Sequence, residues 1–476
     1  MLYIAHSGNA NNSQHYSVRV NGGTQVPILD LYGITDRNKR LEKAADYIEK
    51  LDAYAENIQK LHTKIHAGAN NKFINKKFDE KNCIFDSTEI LIDSMLFSLP
   101  ATQMLAGLGN SDHAKTLVDS MDAMDEMMCL FYQHKGLNIS NGYGKDRTPQ
   151  QHLNIRYMRQ FENSFMYAAS NHIGIEWGFV SSLVNVKPNK DENGNYVNNG
   201  YFGWGIAHEI GHCLDQGTIS MPEITNNYFA ELAKGVETNA DRRFNYTNIY
   251  NKVSSNQKGA SSDVFTQFGL YWQLHLAYDK STNHTTYSNY QEQLNNLFYA
   301  KLCYYFREPG RAPKPNGIAL TLGDKDQTLM RLACAVTEKN VLKFLERWGK
   351  EPNKDTIAYA EQFEKETRAI FYANDDSRTY VREHAEEGSK LNTDATTEAI
   401  SAVEAKINPD KKNEVNLIIT PNGTVSADDI LGYEIVRCTI AAGKTQEATI
   451  GFTQTNQFTD TITSLNNRTV SYKVIT

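Results

Sequence analysis

The most informative stretch of the sequence runs Gly203-Trp204-Gly205-Ile206-Ala207-His208-Glu209-Ile210-Gly211-His212-Cys213-Leu214-Asp215-Gln216-Gly217. Within it, the apolar residues Ile206, Ile210 and Leu214 recur at every fourth position, which is the spacing of one face of an α-helix. Gly217 is a residue at which such a helix commonly ends. The stretch is therefore predicted to be an amphipathic helix with a polar face opposite its apolar stripe.

Two histidines on this predicted helix indicate a metal site. His208 and His212 are four residues apart, so both imidazoles point the same way and can share one zinc ion. Glu209 is placed to reach a water molecule at such an ion without being a ligand itself. With 13 His in the chain, chance produces this pattern only ~0.02 times. The alternative is a pair of helix histidines that only cap or pair locally.

A catalytic zinc ion needs a third protein ligand, and the segment that follows offers two carboxylates. Ser220 as an N-cap, Pro222 in the first turn and Glu223 three residues after the cap predict the start of a second helix. Glu223 is then either a capping carboxylate or the third ligand, and Glu231, two turns later, is its rival. Asn227 lies four residues after Glu223 and is placed to hydrogen-bond the outer nitrogen of the first histidine.

Composition excludes several classes of protein. The 476 residues are 40% hydrophobic and 22% charged, as in ordinary globular domains, and this length predicts at least two of them. A net charge of -7 without a basic block argues against binding to nucleic acid or anionic membranes. No run approaches 18 consecutive apolar residues, so no membrane span is expected. Six scattered cysteines predict neither a disulfide framework nor a thiolate zinc site.

Hydrophobic patterning predicts an α+β catalytic region with a β-rich first part and a helical second part. The prediction comprises a hairpin before Leu31, a helix from 36 to 66, a helical block from 87 to 132 broken near Gly107-Leu108-Gly109, strands at 153–157 and 164–177, and helices from Trp204 to Phe371. The methionines of the helical block are interpreted as core residues.

The remainder of the chain is predicted to be a linker and a small β-module. Residues 375–412 are polar and read as a connection that contains one helix at 396–406. From 413 to 476, short β-rich runs separated by turn residues predict an antiparallel sandwich. The N-terminus lacks the pattern of a secretory signal. The chain is therefore either cytoplasmic or a piece whose export signal lies upstream.

Taken together, the His-Glu-Ile-Gly-His motif, ten intervening residues and Glu223-Ile224-Thr225-Asn226-Asn227 resemble the enhancin-like peptidase family M60. Gly203-Trp204-Gly205, the segment from Met166 to Ile175 and the segment from Asn340 to Gly349 resemble it too. The resemblance covers residues 1–374 and implies a gluzincin-like zinc metallopeptidase domain whose N-terminal β region is incomplete. The tail, residues 413–476, resembles a fibronectin type III or immunoglobulin-like module, which we interpret as a spacer.

Members of this family are secreted or surface zinc peptidases that act on mucins and other O-glycosylated proteins. The resemblance therefore implies a zinc cofactor with Glu223 as third ligand and Glu209 as general base. It also implies cleavage of a peptide bond next to a glycosylated Ser or Thr. Sugar-binding candidates near the motif are Trp204, Tyr201, Asn227 and Arg243, by the rule that sugar sites combine an aromatic face with polar groups.

These expectations extend to location and to partners. The protein is expected outside a bacterial cell or on its surface, as a monomeric catalytic unit with mucin-type substrates. Tyr271, Tyr278 and His275 are candidates for stabilising the oxyanion. Two alternatives stay open, a glycan-binding adhesin on a peptidase scaffold that no longer cuts and a zinc peptidase indifferent to glycans.

Overall fold

The structure is a computed structural model of the chain. It describes residues 24–61, 66–67, 72–73, 86–140, 144–158, 165–169, 171–187, 201–215, 217, 219–235, 238–255, 257–279, 286–378, 400–423, 430–463 and 469–476. The predicted N-terminal hairpin lies largely outside these ranges, as does most of the loop before the metal motif.

A six-stranded mixed sheet forms the first part of the molecule, and its strand order is β1-β4-β5-β6-β8-β7. Its strands are β1 (Ile28–Asp30), β4 (Thr88–Leu91), β5 (Met95–Leu99), β6 (Leu153–Met158), β7 (Met166–Ala169) and β8 (His172–Glu176), and a separate two-residue pair is formed by β2 (His66–Ala67) and β3 (Lys72–Phe73). Among the described residues, strand β7 pairs with β8 alone and therefore forms one edge of the sheet.

Helices α1 (Arg37–Leu61), α2 (Ala101–Leu108) and α3 (His113–His134) accompany this sheet. The predicted helix from 36 to 66 is confirmed as α1 over residues 37–61, whereas His66 lies in strand β2. The prediction of helix from residue 87 is wrong, because Thr88–Leu91 and Met95–Leu99 are strands. Ile90, Ile92, Met95 and Phe97 are all buried, and a short, mostly apolar run fits a covered strand as well as a helix.

The second part is helical, as predicted. Its helices are α4 (Trp204–Leu214), α5 (Asn227–Lys234), α6 (Tyr246–Ser254), α7 (Val264–Tyr278), α8 (Tyr290–Asn296), α9 (Phe298–Arg307), α10 (Lys325–Thr337), α11 (Leu342–Arg347) and α12 (Lys354–Ala360). The sheet and most of these helices share one continuous buried core, whereas Leu294 of α8 packs in a smaller cluster with Leu297 and Ala300. In the ranges that the structure describes, no helix combines the length and the apolar composition needed to cross a bilayer.

The C-terminal residues form two three-stranded antiparallel sheets, in the orders β13-β10-β9 and β12-β11-β14. The strands are β9 (Ile400–Ile407), β10 (Glu414–Pro421), β11 (Tyr433–Ala441), β12 (Lys444–Thr453), β13 (Gln457–Thr461) and β14 (Thr469–Ile475). A separate core that includes Leu417, Tyr433 and Ile435 lies within this β-module. The sandwich architecture is therefore present, and the more specific resemblance to fibronectin type III stays a prediction.

The prediction of a helix at 396–406 is wrong, since Ile400–Ile407 is a strand that pairs with β10. Pairing with a neighbouring strand outweighs the helical tendency of its alanines and charged residues. The β-module therefore includes residues that the sequence assigned to the linker.

Candidate metal centre and catalytic cleft

Helix α4 carries the His-Glu-Ile-Gly-His motif and packs against the edge strand β7. Ile206, Ala207 and Ile210 are buried on one side of the helix. His208 and His212 project from the other side, as the four-residue spacing predicts. The helix ends at Leu214 with Asp215 as its cap, slightly before the glycine at which it was expected to end.

Three side chains converge at one end of the cleft. Nε2 of His208 lies 3.3 Å from one carboxylate oxygen of Glu223, and Nε2 of His212 lies 3.1 Å from the other. Zinc bonds of 2.0–2.2 Å in a tetrahedral site separate neighbouring ligand atoms by about 3.3 Å. The spacing of this His₂Glu set therefore fits one zinc ion, and the donor types are those of a catalytic zinc site.

Glu223 reaches this position from a loop and not from a helix. The helix predicted to begin at Ser220 begins instead at Asn227, and residues 222–226 form consecutive turns. Thr225 Oγ1 donates to Asp215 Oδ2 at 2.6 Å, which ties the loop to the end of α4. Glu223 has φ 66°, a left-handed conformation that few residues other than glycine adopt.

Asn227 makes the hydrogen bond that the sequence suggested. Its Oδ1 accepts from His208 Nδ1 at 2.7 Å, and its Nδ2 donates to the Glu223 carbonyl at 2.7 Å. A proton on Nδ1 leaves the Nε2 lone pair free for a metal. Because both ends of this buried amide are used, Asn227 orients two candidate ligands and offers no free group to a sugar.

Two neighbours of the ligands were not among the predicted residues. The Asn226 Nδ2 atom lies 3.1 Å from Nε2 of His212 and 3.2 Å from Nε2 of His208. A Cβ atom on Gly211 would stand 2.4 Å from the Asn226 carbonyl oxygen, so the glycine of the motif permits this close approach. Asn226, Asn227 and Gly211 can be read directly from the sequence, but only the tertiary packing shows which atoms they contact.

Glu209 lies in an open cleft of about 560 Å³ lined by the candidate ligands and by β7, from Met166 to Ala169. Burial raises the pKa of Glu209. The nearby His208 and a hydrogen bond from the Ala168 backbone favour its charged form, and Glu223 opposes it. A half-buried carboxylate of this kind beside a candidate metal site is suited to accepting a proton.

Glu231, the rival third ligand, is not at this site. It is buried and pairs with Arg242, whose Nη1 lies 2.7 Å from its Oε2. Arg242 also pairs with Asp375 at 2.9 Å and stacks on the Trp272 ring. Glu231 therefore belongs to a buried charge network that holds the helical part together.

The sugar-binding candidates differ in where they lie. Trp204 is the first residue of α4, and the Arg243 guanidinium lies 4.1 Å from its ring centre, so an aromatic face and a charged donor stand together near the cleft. Tyr201 donates instead to Glu126 at 2.7 Å. The Tyr201 hydroxyl is therefore already hydrogen-bonded within the protein.

The candidates for stabilising an oxyanion are buried or partly buried, and each is engaged elsewhere. Tyr271 donates to the Met221 sulfur at 3.2 Å, and Tyr278 donates to Glu366 at 2.7 Å. His275 pairs with Asp279 at 2.6 Å. Tyr167 is the tyrosine that lines the cleft among the described residues, and its hydroxyl lies 3.1 Å from His172 Nε2.

A second cluster with metal-binding side chains, His134, His275 and Asp279, is fully buried. The Tyr228 hydroxyl lies within 2.7–3.1 Å of all three side chains. Arg378 donates to His275 Nε2 at 3.0 Å, and His275 Nδ1 lies 2.6 Å from Asp279 Oδ2. The side chains of this cluster thus form a buried hydrogen-bond network.

Comparison with known proteins agrees with the geometry. The structure is similar to the M60 catalytic domain of Clostridium perfringens ZmpC in complex with the sialyl T antigen, with a TM-score of 0.59 and 22% identity over 96% of this chain and 74% of that one. It is also similar to the ZmpB metallopeptidase of C. perfringens, with a TM-score of 0.58, 20% identity and coverage of 95% and 73%.

A third similar structure is a metallopeptidase in complex with Tn antigen, with a TM-score of 0.53 and 15% identity over 95% of this chain and 76% of that one. At such low sequence identity, the structural similarity to these proteins shows a shared fold. No curated protein matches the chain. A sequence model described as Peptidase M60, enhancin and enhancin-like, matches residues 88–349, more than half of the chain. The chain therefore belongs to the enhancin and enhancin-like peptidases of family M60.

Proposed function

We propose that the protein is a zinc endopeptidase that cleaves peptide bonds next to O-glycosylated Ser or Thr in mucin-like glycoproteins. The observation that carries this proposal is the convergence of His208, His212 and Glu223 on one point of a cleft that also contains Glu209. Membership of a metallopeptidase family supports the same chemistry.

The metal would be held by Nε2 of both histidines and by the Glu223 carboxylate. A zinc ion so bound supplies Lewis-acid chemistry, which polarises a carbonyl and lowers the pKa of water. Asn227 fixes the tautomer of His208, and outer hydrogen bonds of this kind typically account for 10–100-fold in metal affinity. Replacing His208 with Ala is expected to abolish zinc retention, which zinc quantification measures directly.

Glu209 acts as the general base in this proposal. Its carboxylate takes a proton from the attacking water and returns it to the leaving amine. The backbone of edge strand β7, which forms one wall of the cleft, is suited to hold an extended peptide by strand pairing. Glu209 therefore lies between a metal site and a peptide-binding edge.

Trp204 and Arg243 support a glycan on the substrate, because a ring face and a guanidinium provide the stacking and hydrogen bonds that sugars need. Two structures of similar fold were solved with the O-glycan antigens sialyl T and Tn. A substrate of this class places the enzyme outside the cell, and we propose an extracellular or surface location on a bacterium.

Mass spectrometry of an O-glycosylated mucin-type peptide tests the proposal, beside its deglycosylated twin and a sample with chelator. We expect cleavage of the glycosylated peptide only, abolished by the chelator. The Glu209→Ala variant should keep zinc and lose hydrolysis. Equal cleavage of both peptides would favour a glycan-independent peptidase. Zinc binding and glycopeptide binding without cleavage would favour an adhesin, and wild-type activity in Glu209→Ala would overturn the mechanism.

A further inference from the structure

Two exposed phenylalanines lie side by side near the cleft. Phe165 and Phe179 are 48% and 41% exposed, and they are the exposed phenylalanines of the described ranges. Their ring centres are 4.9 Å apart at an angle of 33°. Exposed aromatic side chains that cluster beside a cleft commonly mark a binding surface.

The position of Phe165 relative to the catalytic residues follows from helix geometry. Its ring atom Cε2 and the Met166 sulfur both lie 3.2 Å from where a Cβ on Gly205 would stand. Gly205 is four residues before Glu209 on α4, so the two share a helix face about 6 Å apart along the axis. Phe165 therefore continues the wall of the cleft beyond Met166, toward the start of α4.

Both rings are held by ordered backbone. The Phe165 carbonyl accepts from Glu176 N–H at 2.9 Å, which continues the pairing of β7 with β8. Phe179 lies in the 3₁₀ helix Trp177–Leu183 that follows β8. A rigid exposed pair loses little conformational freedom on binding.

We infer that Phe165 and Phe179 form a subsite for an apolar side chain of the substrate peptide, an inference that rests on the proposed endopeptidase function. Phe165 lies beside Met166 and against Gly205, and these apolar surroundings suit an aliphatic side chain better than a sugar. Trp204 with Arg243 provides both elements that a sugar needs, on the adjacent residue of the same helix turn. The phenylalanine pair therefore contacts the peptide part of the substrate, and it gives cleavage a preference for an apolar residue at one position.

The test uses O-glycosylated peptides in which Leu or Ser is scanned through the three positions on each side of the glycosylated residue. We expect wild-type enzyme to prefer Leu over Ser at one position by about tenfold in kcat/KM, mainly through KM. Phe165→Ala and Phe179→Ala should reduce that ratio to about twofold or less, and Phe165→Leu should keep part of it. Tyr32→Ala is the control, because Tyr32 is 59% exposed and follows β1 at the opposite edge of the sheet.

Calorimetric affinities of the same peptides for Glu209→Ala, with and without the phenylalanine substitutions, provide a readout that does not need cleavage. If wild-type enzyme cuts no peptide, the proposed function fails and these affinities still decide on the subsite. An unchanged Leu-to-Ser ratio in both Phe→Ala variants would overturn the inference. So would a loss that is equal for Leu and Ser and that disappears when the sugar is removed.

Discussion

Glu223 combines a chemical requirement with an unfavourable backbone conformation. Its φ of 66° costs a residue with a Cβ about 1 kcal/mol or more. Strain of this kind persists only where the surroundings hold it, and here the loop is fastened by Thr225 to Asp215 and by Asn227 to the Glu223 carbonyl. The strained position is the one from which the carboxylate reaches both histidines.

Glu223→Gly and Glu223→Ala separate these two properties. Both remove the carboxylate, so both should lose zinc affinity. Glycine tolerates φ 66°, so in the presence of chelator Glu223→Gly should be more stable than Glu223→Ala by about 1 kcal/mol in urea unfolding. At exposed Glu351, where φ is not positive, the same pair of substitutions should show the reverse order. Equal stability of the two Glu223 variants would show that the φ of 66° at this position does not strain the backbone.

His134 predicts a pH dependence of stability that is unrelated to the metal. Burial, with a smaller contribution from Arg378, lowers its pKa to about 3, whereas in the unfolded chain it titrates near pH 6.5. Below that pH the unfolded state binds a proton that the folded state does not, so stability is full above about pH 6.5 and falls as the pH drops toward 3. Tyr228, Asp279 and His275 face this imidazole, and the Tyr228 hydroxyl lies 2.7 Å from His134 Nδ1.

The change to test is His134→Asn, which keeps a polar group near Nδ1 and removes the titration. Between pH 6.5 and 5, the wild-type protein should lose about 2 kcal/mol more stability than the variant. Urea unfolding at pH 7 and pH 5 measures the difference. His113→Asn, at the partly exposed start of α3, should keep the wild-type loss. A wild-type loss in His134→Asn as well would show that other groups carry the pH dependence.

At the scale of elements, the contact between α4 and the turn before α5 positions the site. Gly211 permits that contact, because a Cβ there would stand 2.4 Å from backbone oxygen of Asn226 and 3.1 Å from its Cα. Gly211→Ala should therefore push the turn away, costing about 1–3 kcal/mol and at least tenfold in zinc affinity. Chelator competition and urea unfolding measure the two effects. Gly217→Ala is the control, because a Cβ there meets nothing within 4 Å, and it should change neither the stability nor the zinc affinity. Equal effects of Gly211→Ala and Gly217→Ala would refute the packing argument.

The elements also show which parts of the site follow from local sequence. His208 and His212 point to the same side because of helix geometry alone, so their closeness was predictable from the sequence. The position of Glu223 depends on a turn closed by Asp215 and Thr225 and on a left-handed residue, and the sequence pattern there indicated a helix cap instead. The edge strand β7 and the phenylalanine pair depend on sheet order, which hydrophobic periodicity does not contain. Ile400–Ile407 was misread as a helix because its pairing partner lies in another segment of the chain.

At the scale of the whole molecule, the β-module is joined to the helical part by a buried contact. Phe452 stacks on Tyr372 with ring centres 3.8 Å apart. Glu434, 7% exposed, accepts from the Tyr372 hydroxyl at 2.6 Å and pairs with Arg347 at 3.1 Å. Residues of α11, of the segment after α12 and of two β-module strands meet at this point. A loosely tethered spacer would not need a buried charge at its junction.

This junction predicts that the two parts unfold as one unit. Arg347→Met would leave the Glu434 carboxylate buried with Tyr372 but without its cation, at a cost of about 3 kcal/mol. Urea unfolding followed by near-ultraviolet and far-ultraviolet circular dichroism should show one transition in the wild-type protein and an earlier onset in the variant. Arg437→Met is the matched control, because Arg437 pairs with Asp460 inside the β-module at 3.0 Å. If the parts are coupled, Arg437→Met should also move the single transition as a whole. If Arg437→Met moves only part of the transition, or if the wild-type protein already unfolds in two steps, the module is an independent domain and the buried contact does not couple it to the catalytic part.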